Sequence, residues 1–386
     1  MHNFSFNLST KVEFGMNSVD RVKNFIKKGE KVLIVTDDQL IKLGLIDDLY
    51  KILAENSNEY VIFSDVEQNP TTETIDRGMK TLETTNFDKV IAVGGGSPID
   101  TGKALSVLLT NSGNIYDYLD GRGENKKEII NNPVPLIAIP TTFGTGSEVT
   151  MYSVITDKDK IKDSLTSPLI YPIAAIVDSS FSLNAPSKVI INTGLDVLGH
   201  ALESFTSTID NPLTNLFALE AIKLVMDNLP KAVNNNDTEA KDRMAYASVL
   251  AGSAMSHCGA TIPHALGCPL SSYAGLPHGL SVGLLQIPML EFNKKYIQKD
   301  IQKVLNYLQI DAVDRNPVDV LIGKIRGLLN ELGVCEKIED VNLNDQLLGD
   351  LINDAAIHGC IGINQKSVDR KDISRIYKEL FAGATK

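Results

Sequence analysis

The 386-residue chain lacks any apolar run of the roughly 18 to 20 residues that a membrane-spanning helix needs. It also lacks a basic excess, because 37 Lys and Arg residues stand against 48 Asp and Glu and leave a net charge of −11. Such a charge repels phosphate backbones and anionic membrane surfaces, so we expect neither a nucleic-acid partner nor a membrane partner. The first residues carry no basic and apolar signal segments, which predicts a cytoplasmic protein.

Cysteine is scarce, and its spacing argues against two further classes of protein. The four cysteines are scattered, with no pair at the Cys-x-x-Cys spacing, and they are Cys258, Cys268, Cys335 and Cys360. This pattern argues against a zinc finger and against a disulfide framework, and it predicts reduced thiols. The remaining composition, with 43% hydrophobic and 22% charged residues, is that of a soluble globular protein long enough for two or three domains.

The two halves of the chain carry different hydrophobic patterns. In the first half, short runs rich in Val and Ile alternate with stretches of helical periodicity, and the runs lie at 32–35, 60–63, 90–93, 136–139 and 174–177. This alternation predicts an α/β dinucleotide-binding domain with a parallel sheet over residues 1–182. Apolar residues three and four apart dominate the rest, which predicts an all-α domain over residues 183–386. The cleft between the two domains is the expected ligand site.

A glycine-rich turn follows the predicted strand at 90–93. Its three glycines, Gly94 to Gly96, let backbone amides approach a phosphate closely. Ser97 is placed to cap the next helix, with Asp100 completing a capping box. A tight turn that binds nothing explains the same residues, because glycine-rich turns are common.

Polar residues also follow two other predicted strands. Asp37 and Asp38 follow the strand at 32–35, where a carboxylate can accept hydrogen bonds from ribose hydroxyls and would repel a 2′-phosphate, which favours NAD over NADP. A helix N-cap explains an aspartate there equally well. The loop PTTFGTGSE at 140–148 offers hydroxyls at the end of another strand, where ligands of parallel sheets gather.

Histidine placement is the sharpest chemical signal in the chain. Asp196 and His200 are four residues apart on one predicted helix face, and His264 and His278 are fourteen apart. Three imidazoles and one carboxylate suit Zn²⁺ or Fe²⁺ and leave room for a substrate oxygen. Considered separately, the same residues fit a surface ion pair and hydrogen-bonded core histidines.

Five motifs occur together in the order and spacing of one family. They are Phe14-Gly15, VGGGS at 93–97, PTTFGTGSEVT at 140–150, TGLDVLGHALE at 193–203 and PHG at 277–279. The sequence resembles the iron-containing, or group III, alcohol dehydrogenases, of the lactaldehyde reductase and propanediol dehydrogenase type. The resemblance extends from Phe14 to the C-terminal helix.

The resemblance implies the cofactors and the residues that hold them. It places one divalent metal, Fe²⁺ or Zn²⁺, on Asp196, His200, His264 and His278. It places NAD(H) on Asp37, Asn69, Gly95, Gly96, Ser97, Thr141, Thr142, Thr145 and Lys162. The implied reaction interconverts a short aldehyde and its primary alcohol, with or without a polar or anionic tail, by hydride transfer beside the metal. We also expect a homodimer or a larger homo-oligomer.

Three residues are candidates for catalysis or pocket shaping. Cys268 stands four residues after His264, where the family often has a histidine that passes protons, so the usual proton relay is in doubt. We expect the thiol to shape the pocket, with a weak proton carrier and an altered substrate site as alternatives. Cys360 is expected at the pocket wall. His257 has two interpretations, a donor to a polar or anionic substrate tail and a histidine hydrogen-bonded to backbone, and the second is favoured.

Two other functions share part of this pattern. A dehydroquinate synthase-like lyase also uses NAD and a metal, but the TTFGTGSE and DVLGHALE motifs argue against it. A non-catalytic nucleotide sensor would need a closed metal shell, whereas a glycine cradle and an Asp/His set in one chain favour an enzyme.

Overall fold

The computed structural model describes residues 3–82, 85–121 and 126–381, and these form two compact units. Residues Asn7–Ala185 form the first unit, and residues 186–381 form the second together with residues 3–6. The predicted boundary after residue 182 lies close to this division, but the prediction had assigned residues 3–6 to the first domain. Within the described ranges, no helix is both long and apolar enough to cross a bilayer.

The first unit is built on a six-stranded sheet with the strand order β1-β8-β5-β4-β2-β3. All its strands run parallel, and they are β1 Lys11–Phe14, β2 Val32–Val35, β3 Tyr60–Phe63, β4 Lys89–Gly94, β5 Leu136–Pro140 and β8 Ala174–Val177. All five predicted strands are present, whereas β1 and the antiparallel hairpin β6 Tyr152–Thr156 and β7 Lys162–Thr166 were not predicted. Strands β2, β4, β5 and β8 are almost wholly buried, which explains their unbroken apolar sequence.

Helices connect the parallel strands. They are α1 Asp38–Lys42, α2 Asp47–Glu55, α3 Thr72–Leu82 and α4 Gly96–Leu108. The helical segment between β2 and β3 is divided into α1 and α2, because the backbone turns through Gly44 with a φ of +67°. Apolar clusters on both faces of the sheet form the core of this unit.

The second unit is helical over its described residues, as the periodicity predicts. Its helices are α5 Ser187–Thr206, α6 Pro212–Asn234, α7 Thr238–Cys258, α8 Ile262–Ala274, α9 His278–Asn293, α10 Gln298–Tyr307, α11 Pro317–Glu331, α12 Asp345–Ala355 and α13 Arg370–Leu380. Helix α5 packs against α6, α7, α8 and α9, and every residue from Gly194 to Thr206 is buried. Polar side chains in that stretch of α5 therefore lie in the interior, where each needs a partner.

Candidate functional site

Three of the four predicted metal ligands meet inside the helical unit. Asp196 and His200 lie one turn apart on α5, and His264 lies in the first turn of α8. One ligand atom from each residue lies within 4.8 Å of those of the other two. The His200 and His264 rings are stacked with centroids 4.6 Å apart. The side chains that the sequence separates by 64 residues thus form one buried cluster.

The fourth predicted ligand, His278, begins α9 beside the same carboxylate. Its Nε2 atom lies 3.8 Å from Asp196 Oδ1, the same distance that separates His264 Nε2 from that oxygen. Metal bonds of about 2.0 to 2.2 Å in a tetrahedral site set neighbouring ligand atoms roughly 3.4 Å apart. The observed spacings are therefore close to those of a coordination shell.

The chemistry of the donor atoms fits a divalent cation. Buried polar atoms in proteins almost always have a partner. His264 Nε2 is buried, yet it finds no hydrogen-bond partner among the described residues. This nitrogen lies next to an imidazole and a carboxylate, and a mixed nitrogen and oxygen set binds Zn²⁺ or Fe²⁺. We conclude that the cluster fits a metal ion.

Glu203 is a member of this site that the sequence reasoning missed. Its Oε1 atom accepts a hydrogen bond from His264 Nδ1 at 2.8 Å. Burial alone lowers the pKa of His264, but the charge of Glu203 and this hydrogen bond outweigh burial and raise the pKa to about 9. The spacing of Asp196, His200 and Glu203 was the available signal, because residues at i, i+4 and i+7 share a helix face.

The two candidate cysteines lie close to the cluster or to another histidine. Cys268 is buried one turn after His264 on α8. Cys360 lies in a short 3-10 turn, Gly359–Ile363, that packs against α8. Its backbone N–H donates to His358 Nδ1 at 3.3 Å, so His358 is the N-cap of this turn. The catalytic or pocket-wall roles of both cysteines stay predictions.

His257 adopts the alternative that its sequence position left open. Its Nδ1 atom lies 2.9 Å from the carbonyl oxygen of Ser253, one turn earlier on α7. The ring also stacks on Phe6, with centroids 4.6 Å apart. A carbonyl only accepts, so Nδ1 must carry the proton of this hydrogen bond. The predicted contact of His257 with a substrate tail stays a prediction.

The first unit gathers the predicted nucleotide residues at one edge of its sheet. Strands β2, β4 and β5 run parallel, so Asp37, the Gly95–Ser97 turn and the loop that starts at Thr141 all follow carboxyl ends. A Cβ atom on Gly95 would lie 2.9 Å from Thr142 Oγ1. A Cβ atom on Gly96 would lie 2.9 Å from Thr145 Cγ2. The two loops therefore touch, and glycine avoids a close contact at both positions.

The predicted capping box at this turn is wrong. Helix α4 begins at Gly96 with Gly95 as its N-cap, and no side chain caps it. Ser97 Oγ instead accepts a hydrogen bond from the backbone N–H of Asn69 at 3.2 Å. Asp100 turns away from the helix start because its carboxylate accepts hydrogen bonds from Ser147 Oγ and the backbone N–H of Val154. Ser97 thus links the glycine turn to the loop that follows β3.

Asp37 is a helix cap in the structure. Its Oδ1 atom accepts hydrogen bonds from the backbone N–H groups of Gln39 and Leu40 at 2.9 and 3.0 Å. These two bonds use one of its two oxygens, so capping and ribose binding are compatible. Lys162 lies on β7, and its charge acts on Asp100. The nucleotide-binding roles of Asp37 and Lys162 stay predictions.

Lys103 and Glu148 are two buried ionisable residues that the sequence reasoning also missed. The Lys103 ammonium donates to the carbonyl oxygens of Ser147, Thr150 and Tyr152 at 2.6 to 3.0 Å. Burial lowers the pKa of Lys103 to about 8 and raises that of Glu148 to about 7. A charged residue within the apolar stretch of α4 was the available signal. Lys103 fastens the TTFGTGSE loop to α4.

Comparison with known proteins gives these two units a family. Residues 9–179 match the model of the iron-containing alcohol dehydrogenases, and residues 190–381 match the C-terminal model of the Fe-containing alcohol dehydrogenase family. Alcohol dehydrogenase 4 of Schizosaccharomyces pombe is 33% identical over 386 residues, which cover 97% of this chain and 87% of that protein.

Solved structures extend the likeness to the whole fold. An iron-containing alcohol dehydrogenase from Thermotoga maritima has a TM-score of 0.87 and 31% identity, covering 98% of this chain and 100% of that one. Sulfoacetaldehyde reductase from Bifidobacterium kashiwanohense, solved in complex with NAD⁺, has a TM-score of 0.88 and 27% identity, with both chains covered completely. The chain belongs to the iron-containing alcohol dehydrogenase family and is an oxidoreductase of alcohols and aldehydes.

Proposed function

We propose that this protein catalyses the NAD(H)-linked interconversion of a short aldehyde and its primary alcohol at one divalent metal ion, Fe²⁺ or Zn²⁺. The observation that carries the proposal is the buried cluster in which ligand atoms of Asp196, His200 and His264 lie within 4.8 Å of one another. His278, 3.8 Å from Asp196, completes the proposed ligand set. Three imidazoles and one carboxylate leave a position for a substrate oxygen.

The two cofactors supply the chemistry, and the chain orients them. When bound, the metal supplies Lewis acidity toward the substrate oxygen, and the nicotinamide supplies or accepts hydride. The glycine turn at the start of α4 receives the pyrophosphate on its free backbone amides. Further nucleotide contacts come from Asn69, Ser97, Thr141, Thr142, Thr145 and, on β7, Lys162. The free oxygen of Asp37 receives the ribose and favours NAD, the cofactor bound in the sulfoacetaldehyde reductase structure.

Two candidate pocket residues, Cys268 and His257, concern proton transfer and the binding of a substrate tail. No imidazole stands at position 268, so we propose that Cys268 shapes the pocket wall and that protons move by another route. Because Nδ1 of His257 donates to Ser253, a tail group has only Nε2 of that ring to bind. An anionic tail would need that nitrogen to be protonated. Uncharged short aldehydes are therefore the first substrates to test.

We further propose that the protein forms a homo-oligomer in the cytoplasm. Exposed apolar side chains at the start of α6 support self-association, and they include Ile209, Leu213 and Leu216. The cytoplasmic location stays a prediction.

The test is an aldehyde-reduction assay with controlled metal content. Purified protein, stripped of metal and reloaded with Fe²⁺ or Zn²⁺, is mixed with NADH and a panel of short aldehydes, one of them with an anionic tail. We expect loss of the reduced-nicotinamide absorbance only after metal is restored. His264→Ala should lose metal and turnover but keep NADH binding, since the nucleotide residues lie in the other unit. Full turnover without metal, or full metal content in His264→Ala, would contradict the proposal.

A further inference from the structure

Glu203 has a set of hydrogen bonds that only an acceptor with four lone pairs can satisfy. It is fully buried on α5. Its Oε2 atom accepts from the backbone N–H groups of Thr261 and His264 at 2.7 and 3.3 Å. Its Oε1 atom accepts from His264 Nδ1 at 2.8 Å and from Gln286 Nε2 at 3.1 Å. An ionised carboxylate offers about four acceptor sites and no donor, which matches these four donors.

The same hydrogen bonds determine which nitrogen of His264 faces the metal cluster. If Nδ1 carried no proton, its lone pair would point at a carboxylate oxygen 2.8 Å away. The proton of the neutral ring therefore sits on Nδ1, and its lone pair sits on Nε2. Nε2 is the nitrogen that lies 3.8 Å from Asp196 Oδ1. Carboxylates that hold a metal-binding imidazole in this way orient the ring and raise its basicity.

Glu203 also connects the three helices that carry the proposed ligands. It lies on α5 with Asp196 and His200, and it takes the place of a missing N-cap on α8, because the side chain of Thr261 makes no capping hydrogen bond. Its bond to Gln286 reaches α9, the helix that begins with His278. A single carboxylate thus sets the relative positions of α5, α8 and α9.

We infer that Glu203 is a positioning residue, which fixes the tautomer of His264 and holds the three ligand-bearing helices at metal-binding separation. This inference rests on the metal site of the proposed function. It assigns a role to a side chain that contacts neither substrate nor the proposed metal ion directly.

The first experiment measures metal affinity in a matched set of full-length variants. Wild type, Glu203→Gln, Thr206→Val and Asp196→Asn are stripped of metal and titrated with Co²⁺ alone against a competing chelator. Glutamine has one acceptor oxygen, so it would leave donors facing its own NH₂ group. We expect Glu203→Gln to bind Co²⁺ about 10- to 100-fold more weakly. Thr206→Val removes a buried hydroxyl bond within α5 that touches no ligand, and it should bind within about twofold of wild type.

The outcomes separate this inference from the function on which it rests. Wild-type affinity in Glu203→Gln, with affinity lost in Asp196→Asn, would overturn the role of Glu203 and leave the metal site intact. Wild-type Co²⁺ affinity in Asp196→Asn would instead show that the proposed metal site is wrong. If Glu203→Gln and Thr206→Val weakened Co²⁺ binding equally, Glu203 would contribute only to the general stability of the helices. That result would overturn the inference.

A second measurement does not depend on any Glu203 variant and reports a property that general stability would not change. Wild-type protein labelled with ¹⁵N-histidine and loaded with Zn²⁺ is examined by NMR, and the His264 signals are assigned from their loss in His264→Ala. We expect a proton on Nδ1 and the metal on Nε2. A metal bound through Nδ1, or a proton found on Nε2 in the loaded protein, would overturn the inference even if Glu203→Gln failed to fold.

Discussion

Replacing Gly279 with alanine should force α9 away from α5 and disrupt the metal site. Gly279 follows His278, and a Cβ atom at this position would lie 1.9 Å from the backbone oxygen of Asn192 and 3.0 Å from Asp196 Cβ. Real Cβ contacts essentially never fall below 3.0 Å. The two helices must therefore separate by roughly 1 Å, because the atom in the way is backbone and cannot rotate aside.

The size of that shift determines how much metal binding and stability are lost. Metal sites tolerate deviations of about 0.2 Å in ligand distance, so a separation of roughly 1 Å removes His278 from the shell. Alanine favours a helix over glycine by up to about 1 kcal/mol, but overpacking against fixed backbone costs about 3 kcal/mol or more. We expect Gly279→Ala to lower the free energy of unfolding by at least about 2 kcal/mol and to weaken metal binding more than about tenfold.

Gly323→Ala is the matched control. Gly323 lies on the exposed side of α11, and a Cβ atom there would meet nothing within 4 Å. The same substitution should therefore raise stability by up to about 1 kcal/mol and leave metal binding unchanged.

The assays are elemental analysis for metal content, chemical denaturation with and without chelator, and NADH binding by fluorescence. NADH binding should stay at the wild-type level in both variants, because Gly279 and Gly323 belong to the helical unit. If Gly279→Ala keeps wild-type metal content and is as stable as Gly323→Ala, the predicted displacement of α9 from α5 is wrong.

Three further substitutions test the nucleotide site, the pocket wall and the buried charges. Asp37→Gly should raise the efficiency with NADPH relative to NADH, because it removes a carboxylate that would repel a 2′-phosphate; an unchanged ratio would limit Asp37 to its role as a helix cap. Cys268→Ala should alter KM for the aldehyde more than kcat, since loss of a general acid costs about 10² to 10⁴ in rate, and a collapse of that size with both cofactors bound would make the thiol a participant in the chemistry. Glu148→Gln should flatten the pH dependence of stability. The pKa of Glu148 is about 7 in the folded protein against its usual 4.5, so the folded state holds the extra proton between these values and the free energy of unfolding falls as pH rises through that window, by on the order of 3 kcal/mol. Denaturation of wild type and Glu148→Gln at several pH values checks this, and identical slopes from pH 4.5 to 7 would assign the effect to other groups.

The fold class can be predicted from the amino-acid pattern alone. The same is true of the strands that are buried on both faces of the sheet. Strands such as Val32–Val35 are read from apolar runs, because burial on both faces removes polar alternation. The edge strand Lys11–Phe14 was missed since its residues are only partly buried and carry no such run. The proposed ligands Asp196, His200 and His278 could be named because each lies within a recognisable motif, and His264 because the family resemblance places it.

Which polar residues hydrogen-bond to the proposed ligands depends on how the helices pack together. Asp196 and His200 share a helix face through local periodicity, but His264 reaches them only after α8 packs against α5. Glu203 is one more acidic residue in the sequence, until the first turn of α8 brings three donors to its carboxylate and Gln286 on α9 brings the fourth. Asp100 likewise fits a capping box in sequence, yet in the structure its carboxylate accepts hydrogen bonds from Ser147 and Val154 instead. Local spacing fixes which side chains share an element, whereas hydrogen-bond partners that are distant in sequence exist only once the elements are packed together.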